Sequence, residues 1–220
     1  MEVTIDPRFN GPPASANGGY TCGLVARLAG EPVEVTLRSP PPLGRPLRWD
    51  GERLWDGDTL VAETAPAGPL EIEPPQPPTW DEAAAAMPRY RGFREHPFPT
   101  CLVCGPERVP GDGGLRIFAS PVRDGLVAST WEPPEEVPLE LAWAALDCPG
   151  AFAVGATERG ETVLGRMAAE VHRLPRAGER CVVAAWPLGE DGRKLYAATA
   201  LFAGDELLAA ARQTWIVPAA

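Results

Sequence analysis

Two adjacent glycines stand at the start of a segment that otherwise resembles a short apolar helix, SANGGYTCGLVARLAG, residues 15–30. Asn17 is a favourable N-cap residue, so Gly18 and Gly19 would occupy the first helical positions, where backbone N–H groups lack an intrahelical acceptor. Those N–H groups and the helix dipole can bind a carbonyl oxygen and the negative charge that develops on it. Glycine leaves that approach open because it has no side chain. Tight packing of the helix start against a sheet, or a plain turn, is the alternative.

Asp147 is the second residue that could do chemistry. It ends the run ELAWAALD, residues 140–147, in which Glu140 and Asp147 are the only charged residues. A carboxylate in this setting can activate water as a general base or attack an electrophilic carbon directly. Asp147 also lies two residues before Pro149, and proline is favoured at the first position of a helix. An N-cap role for Asp147 is therefore an equal alternative.

Cys101 and Cys104 form a single CxxC motif in CLVCG. A structural zinc ion needs four ligands, and His96 is the one further candidate nearby in the sequence. We therefore expect no metal and no cofactor, and a glycine-terminated loop that shapes the rim of a pocket. Cys148 has no histidine near it in sequence and is expected to be a buried structural thiol. His172 is expected to be a packed or surface residue rather than a base.

Charge and cysteine content limit the classes of protein to which the chain can belong. Its 220 residues include 20 Lys+Arg and 30 Asp+Glu, a formal net charge of −10, which argues against general binding to nucleic acid or to anionic membranes. Five cysteines, an odd number scattered through the chain, are typical of a reducing compartment. No signal-peptide pattern is present, and no apolar run approaches about 18 residues. The sequence predicts a soluble cytoplasmic protein.

Proline divides the chain into two halves. PAGPLEIEPPQPP, residues 66–78, is too rich in proline for a helix or a central strand and predicts a stiff extended linker. A connector helix is predicted next, because Thr79 and Glu82 have the spacing of a capping box. We therefore predict three parts: an N-terminal module over residues 1–65, a segment with linker, connector helix and CxxC loop over 66–112, and a C-terminal module over 113–220.

The two halves share sequence patterns in the same order. EVTLRSPPPLGR, residues 34–45, resembles EVHRLPRAGER, residues 170–180, and GDTLVAET from Gly57 resembles GDELLAAA from Gly204. Two ordered matches indicate an internal duplication. In the second half, two predicted strands, beginning with LRIFASP, precede an apolar helix over residues 138–156, and four more strands follow it. One helix with a run of antiparallel strands predicts an α+β fold in which the sheet wraps the helix.

These segments resemble the hotdog-fold thioesterases of the phenylacetate-pathway and 4-hydroxybenzoyl-CoA type. AALDCPGAFA is similar to the family's helix with a catalytic carboxylate, VHRLPRAGERCVV to its strand–Arg-Pro–Gly–strand pattern, and DGRKLYAATALFAGDELLAAARQTWIV to its closing strands. CLVCGPERVPGDGGLRIF is similar to a lead-in segment of some members, and NGGY to the family's His-Gly-Gly helix start. The resemblance implies a double hotdog, with two antiparallel sheets that each wrap a central helix. We expect the two sheets to join edge to edge and the two long helices to pack side by side.

An acyl-CoA thioesterase is the function that the resemblance implies, with acyl-CoA or an acyl-carrier thioester as its substrate. It implies catalytic roles for Asp147, Gly18 and Gly19. The residues expected at the substrate are Asn17, Tyr20, Trp143, Arg173 and Arg176. The two arginines could meet CoA phosphates, although solvated surface arginines are the default. The alternative function is a non-catalytic acyl-CoA or acyl-carrier binding module, and either could form a homo-oligomer of double-hotdog units.

The resemblance also implies one composite site rather than two. In the family, the carboxylate follows the second glycine by two helical turns, about seven residues. The equivalent position after Gly19 is Ala26, which has no chemistry to offer, and the position before Asp147 at the same spacing is Glu140. The first half therefore keeps the glycines and the second keeps the acid. A hydratase of the same fold is not expected, because the chain lacks an Asp-x-x-x-x-His arrangement with Asn-Pro between.

Overall fold

The computed structural model describes residues 1–156 and 158–219. Thr157 and Ala220, which fall in the predicted C-terminal module, lie outside the described residues. The first half contains helix α1 (Gly18–Ala29) and five strands, which are β1 (Glu2–Thr4), β2 (Val33–Leu37), β3 (Pro46–Trp49), β4 (Arg53–Asp56) and β5 (Thr59–Pro66). Helix α1 begins where Asn17 caps it and ends at Gly30, which has the left-handed backbone conformation that glycine favours.

The proline-rich segment and the connector have the predicted local structure. Residues 67–79 contain neither helix nor strand, and the short helix α2 (Trp80–Ala86) follows them. Thr79 Oγ1 accepts a hydrogen bond from the Glu82 N–H, and the Glu82 carboxylate accepts one from the Thr79 N–H. The capping box that the sequence predicts is therefore present.

The second half contains helix α3 and six strands. The strands are β6 (Ser120–Arg123), β7 (Leu126–Trp131), β8 (Val163–Val171), β9 (Cys181–Asp191), β10 (Lys194–Ala203) and β11 (Glu206–Ile216), and α3 (Leu139–Ala153) lies between β7 and β8. The predicted strand LRIFASP is only partly correct, because residues 115–119 are irregular and β6 starts at Ser120.

All eleven strands belong to one antiparallel sheet, in the order β1-β3-β4-β5-β2-β8-β11-β10-β9-β7-β6. The sequence predicts two sheets that join edge to edge, and in the structure they form one continuous sheet, because β2 of the first half pairs with β8 of the second, with Glu34 opposite Ala168 and Thr36 opposite Arg166. Outward from this junction the order β2-β5-β4-β3-β1 of the first half matches β8-β11-β10-β9-β7 of the second, and β6 is an additional outermost strand. Gly57 and Gly204 occupy equivalent turns, β4–β5 and β10–β11, with φ angles of +56° and +58°.

Helices α1 and α3 pack side by side and run in opposite directions. The order of contacts shows this, because Gly19 meets Asp147, whereas Gly23 meets Trp143 and Glu140. Most of α3 is buried, from Glu140 to Ala151, and it carries apolar residues on all sides. None of the helices in the described part of the chain is long and apolar enough to cross a membrane.

Candidate active site at the junction of the two helices

An apolar cavity of about 570 Å³ lies where the N-terminus of α1 meets the middle of α3. Its apolar wall comes from both halves and from the connector loop, and includes Leu37, Phe98, Phe152, Leu164, Trp215 and Ile216. The polar residues Asn17 and Asp147 and the backbone of Gly18 also line it. An apolar cavity with a few converging polar groups is the usual form of a binding site for a small molecule.

Asp147 lies on α3 and points at the start of α1. Its Oδ2 atom accepts a hydrogen bond from the Gly19 N–H and another from Asn17 Nδ2, both at 2.9 Å. Its Oδ1 atom is buried and has no hydrogen-bond partner among the described residues. One carboxylate oxygen is thus fixed by two donors, while the other makes no hydrogen bond among the described residues.

The start of α1 is ordered by the Asn17 side chain. Its Oδ1 atom accepts from the Tyr20 N–H at 2.9 Å, so the amide nitrogen is the atom that faces Asp147. Of the two N–H groups that the sequence predicted to be free, that of Gly19 is engaged by the carboxylate. The Gly18 N–H has no acceptor within residues 1–156 and 158–219 and lies at the cavity wall.

The Asp147 carboxyl group is only 2% exposed, and this burial raises its pKa from 3.8 to about 7. The hydrogen bond from the Gly19 N–H lowers the pKa, as does that from Asn17, whereas the nearby Cys101 raises it. These donors therefore offset part of the cost of burying a negative charge. A carboxyl group with this pKa can both accept and release a proton near neutral pH.

The alternative role of Asp147 as an N-cap is wrong. Helix α3 is continuous from Leu139 through Pro149, and its N-cap residue is Pro138. Asp147 therefore lies in the interior of the helix, and no new helical segment starts at Pro149. Its side chain reaches the other helix instead of capping its own.

Gln213 of β11 supports this part of α3, and the sequence analysis missed it. Its buried side chain donates from Nε2 to the Leu146 carbonyl at 2.5 Å and to the Asp147 carbonyl at 3.1 Å. Its Oε1 atom accepts from Trp215 Nε1 at 3.0 Å. The available signal was strand alternation, since Gln213 shares the buried face of β11 with Ala211 and Trp215.

Replacing Gln213 with leucine is expected to destabilise the protein by about 1–3 kcal/mol, because two buried carbonyls and the Trp215 N–H lose a partner. The free energy of unfolding, measured by urea denaturation, checks this. Gln76→Leu is a matched control, since Gln76 is exposed in the proline-rich segment. Equal stability of the two variants would contradict a supporting role for the Gln213 amide.

Four residues predicted at the substrate do not line the cavity. Tyr20 stacks on Phe9 with ring centroids 4.1 Å apart, and Trp143 is buried against Gly23 between the helices. Arg173 is paired with two carboxylates, those of Glu179 and Glu206, at 2.7 and 2.6 Å, and Arg176 is exposed on the same β8–β9 connection. The acidic partners of Arg173 explain its position, and neither arginine lines the cavity.

Cys101, Cys104 and Cys148 form a cluster at the cavity, with their sulfur atoms all within 4.8 Å of one another. Cys148 is buried, as expected, and the CxxC loop contributes to the cavity wall. The expectation that the CxxC motif lacks partners needs correction, since α3 brings a third thiol to it. Hydrogen bonds from the thiols of Cys104 and Cys148 lower the pKa of the Cys101 thiol below its ordinary value. His172 is exposed, which agrees with a surface role.

No protein-family model and no curated protein matches the chain. Among solved structures, a proposed thioesterase from Novosphingobium aromaticivorans superposes with a TM-score of 0.61 at 14% identity, over 99% of this chain and 95% of that one. The TesB protein of Mycobacterium avium subspecies paratuberculosis gives a TM-score of 0.59 at 15% identity, over 99% and 92%.

A conserved protein from Alicyclobacillus acidocaldarius, described as having the hot dog fold, gives a TM-score of 0.61 at 12% identity, over 100% of this chain and 93% of that one. Identities this low carry information about the fold and not about the reaction. The chain has the hotdog fold, which it shares over nearly its whole length with proteins that include named thioesterases.

Proposed function

We propose that this protein hydrolyses a thioester at one composite site formed by the start of α1 and Asp147 of α3. The observation that carries the proposal is the 2.9 Å hydrogen bond between the Gly19 N–H of the first half and Asp147 Oδ2 of the second, at the wall of an apolar cavity. Acyl transfer to water requires a base or nucleophile and hydrogen-bond donors for the carbonyl oxygen, and a carboxylate beside backbone N–H groups can supply both.

In the proposed reaction, the acyl group occupies the apolar cavity and its carbonyl oxygen accepts from the Gly18 N–H. That donor has no acceptor in the part of the chain that the structure describes, and the dipole of α1 favours the negative charge that develops on the oxygen. Asp147 takes a proton from a water molecule while the water oxygen bonds to the carbonyl carbon. The carbon–sulfur bond then breaks, and the leaving thiolate receives the proton that Asp147 holds.

The alternative route is direct attack of the Asp147 carboxylate on the carbonyl carbon, in which the carbon–sulfur bond breaks, the thiolate leaves and a mixed anhydride forms. Water then hydrolyses the anhydride to the free acid and Asp147, and a proton from that step goes to the thiolate. Both routes need one carboxylate oxygen with no competing donor, and Oδ1 is buried without a partner in the described part of the chain. Asn17 and Gly19 are positioning groups in either route, because they hold Oδ2 and so fix the orientation of Oδ1.

A single site is supported by the opposite end of the helix pair. There, α3 starts at Leu139, its N-cap residue Pro138 makes no side-chain cap hydrogen bond, and the sequence has no glycine pair. The nearby Glu140 carboxylate accepts from Arg27 Nε at 2.5 Å. A second site, symmetric to the first, would need free backbone donors at the start of α3 and an unpaired acid on α1. A salt bridge occupies that position instead. We propose that residues 1–65 and 113–220 are the two modules that a duplication left with complementary parts.

The proposed substrate is an acyl-CoA or an acyl-carrier thioester with an apolar acyl group, since apolar side chains dominate the cavity wall. The alternative is a binding module without catalysis. One observation favours that alternative, namely that the Gly19 N–H is engaged by Asp147 and a single free donor remains for the carbonyl oxygen. Association into a homo-oligomer stays a prediction.

Incubation with a panel of acyl-CoA thioesters tests the proposal. The panel should run from acetyl to palmitoyl and include aromatic acyl groups, with released CoA measured by a thiol reagent. We expect hydrolysis that increases as the acyl group fills the apolar cavity. Saturable binding without release of CoA would instead support the binding module, and absence of both binding and release across the panel would contradict both functions.

A further inference from the structure

We propose that Cys101, Cys104 and Cys148 bind a zinc ion at the wall of the cavity. A tetrahedral zinc site with Zn–S bonds of about 2.3 Å places its sulfur ligands about 3.8 Å apart. The sulfur atoms of Cys101 and Cys148 lie 3.7 Å apart, and all three sulfurs are within 4.8 Å of one another. The sulfur positions therefore need little movement to hold the ion.

The surroundings of the sulfur atoms suit thiolates. Asn17 Nδ2 approaches Cys101 Sγ at 3.9 Å and Cys148 Sγ at 4.0 Å, and the backbone N–H groups of Val103 and Cys104 also face Cys101. Such donors stabilise metal-bound sulfur and fix its orientation. The loop is held in a tight turn by the hydrogen bond from the Gly105 N–H to the Cys101 carbonyl at 3.0 Å.

His96 does not supply the fourth ligand in the orientation observed. Its Nδ1 atom accepts from the Phe98 N–H at 2.9 Å, so the single proton of the neutral ring lies on Nε2. Burial lowers the pKa of His96, which favours this neutral form. Three protein ligands with an open fourth position are typical of catalytic rather than structural zinc sites. Because all three cysteines line the cavity, a molecule bound there could reach that position.

The zinc site would tie the connector loop to α3 directly beside Asp147. Asn17 links the two features, since the same amide nitrogen that approaches both sulfurs donates to Asp147 Oδ2. The proposal does not depend on thioester hydrolysis, because three converging buried thiols carry it whatever reaction occurs in the cavity. It differs from the expectation of a metal-free protein, which rested on a CxxC motif without partners.

Metal analysis of the full-length protein, purified under reducing conditions without chelator or affinity-metal resin, tests the proposal. We expect about one zinc ion per chain, released when a mercurial reagent modifies the thiols of the wild-type protein and detected with a zinc-binding dye. Exchange for Co²⁺ should give sulfur-to-cobalt charge-transfer absorption with the intense visible bands of tetrahedral coordination. These readouts are independent of any enzymatic activity.

Variants assign the ligands. Cys148→Ala and Cys101→Ala should each lower the zinc content at least tenfold and abolish the charge-transfer bands, whereas Cys181→Ala should leave both unchanged. Cys181 is a matched control because it is buried on β9, outside the cluster. Three results would each overturn the proposal. The wild-type protein could bind neither Zn²⁺ nor Co²⁺, it could contain a disulfide between Cys101 and Cys148 instead of a metal ion, or a folded Cys148→Ala variant could retain the metal.

Discussion

Replacement of Asp147 with asparagine is expected to lower the kcat for thioester hydrolysis about 10²-fold or more, the usual contribution of a catalytic acid or base. Asparagine has nearly the same shape, and its carbonyl oxygen can still accept from the Gly19 N–H and from Asn17. Its NH₂ group would then occupy the position of Oδ1, which has no partner within the described residues. The fold and the cavity are therefore retained, while proton transfer and nucleophilic attack are lost.

Two measurements separate this loss from a loss of binding or of folding. Calorimetry should give wild-type affinity of the Asp147→Asn variant for the acyl-CoA that the parent protein hydrolyses best, and thermal unfolding should show a folded variant. Asp205→Asn, in the exposed β10–β11 turn, is the matched control and should retain full activity. A conservative substitution at Ala26 that leaves the fold intact should also have little effect. Wild-type rates from Asp147→Asn on every accepted substrate would rule out the composite site.

The start of α1 was predictable from the sequence because its determinants are local. An asparagine before two glycines fixes both the capped helix start and a backbone that carries no side chain of its own at its first two positions. The long helix and the strands that follow it in the second half were predictable for a similar reason, since apolar runs bounded by glycine, aspartate and proline set their limits.

The remaining features depend on contacts between distant parts of the chain. Cys101 and Cys148 are 47 residues apart, and only the packing of the connector loop on α3 brings their sulfurs together. Gln213 reaches the carbonyls of α3 from a strand more than 60 residues away. Arg173 could be a phosphate ligand on sequence grounds until its pairing with Glu179 and Glu206 is known. Local pattern carries no information about such partners.

The single continuous sheet also depends on a contact between distant parts of the chain. The β2–β8 pairing joins Val35 to Met167 across the connector, whereas the hairpins within each half follow from neighbouring turns. The repeat and the linker predicted that the two sheets join edge to edge, but they did not identify β2 and β8 as the strands that pair. The consequence for function is direct, because this pairing places the two helices side by side and so brings the acid of one half to the helix start of the other.

Replacement of Gly19 with alanine is expected to give a large loss of stability together with loss of turnover. A Cβ atom at position 19 would lie 2.4 Å from Asp147 Cβ and 2.9 Å from the Trp143 carbonyl oxygen, so the two helices would have to separate. Overpacking of this kind costs about 1–3 kcal/mol or more. The better helix propensity of alanine, about 1 kcal/mol, offsets only part of that cost.

Gly18 and Gly23 provide matched comparisons by the same substitution. At Gly18 the nearest atoms belong to the Leu164 side chain, at 3.0 and 3.1 Å, so Gly18→Ala should be the mildest of the three in urea denaturation. At Gly23 the nearest atom is Glu140 Cα at 2.7 Å, so Gly23→Ala should destabilise the helix pair much as Gly19→Ala does.

Of these two variants, only Gly19→Ala displaces Asp147 from its backbone donor. The folded fraction of Gly19→Ala should therefore be less active than that of Gly23→Ala. Equal activity per folded molecule would show that the Gly19–Asp147 hydrogen bond does not position the carboxylate for reaction.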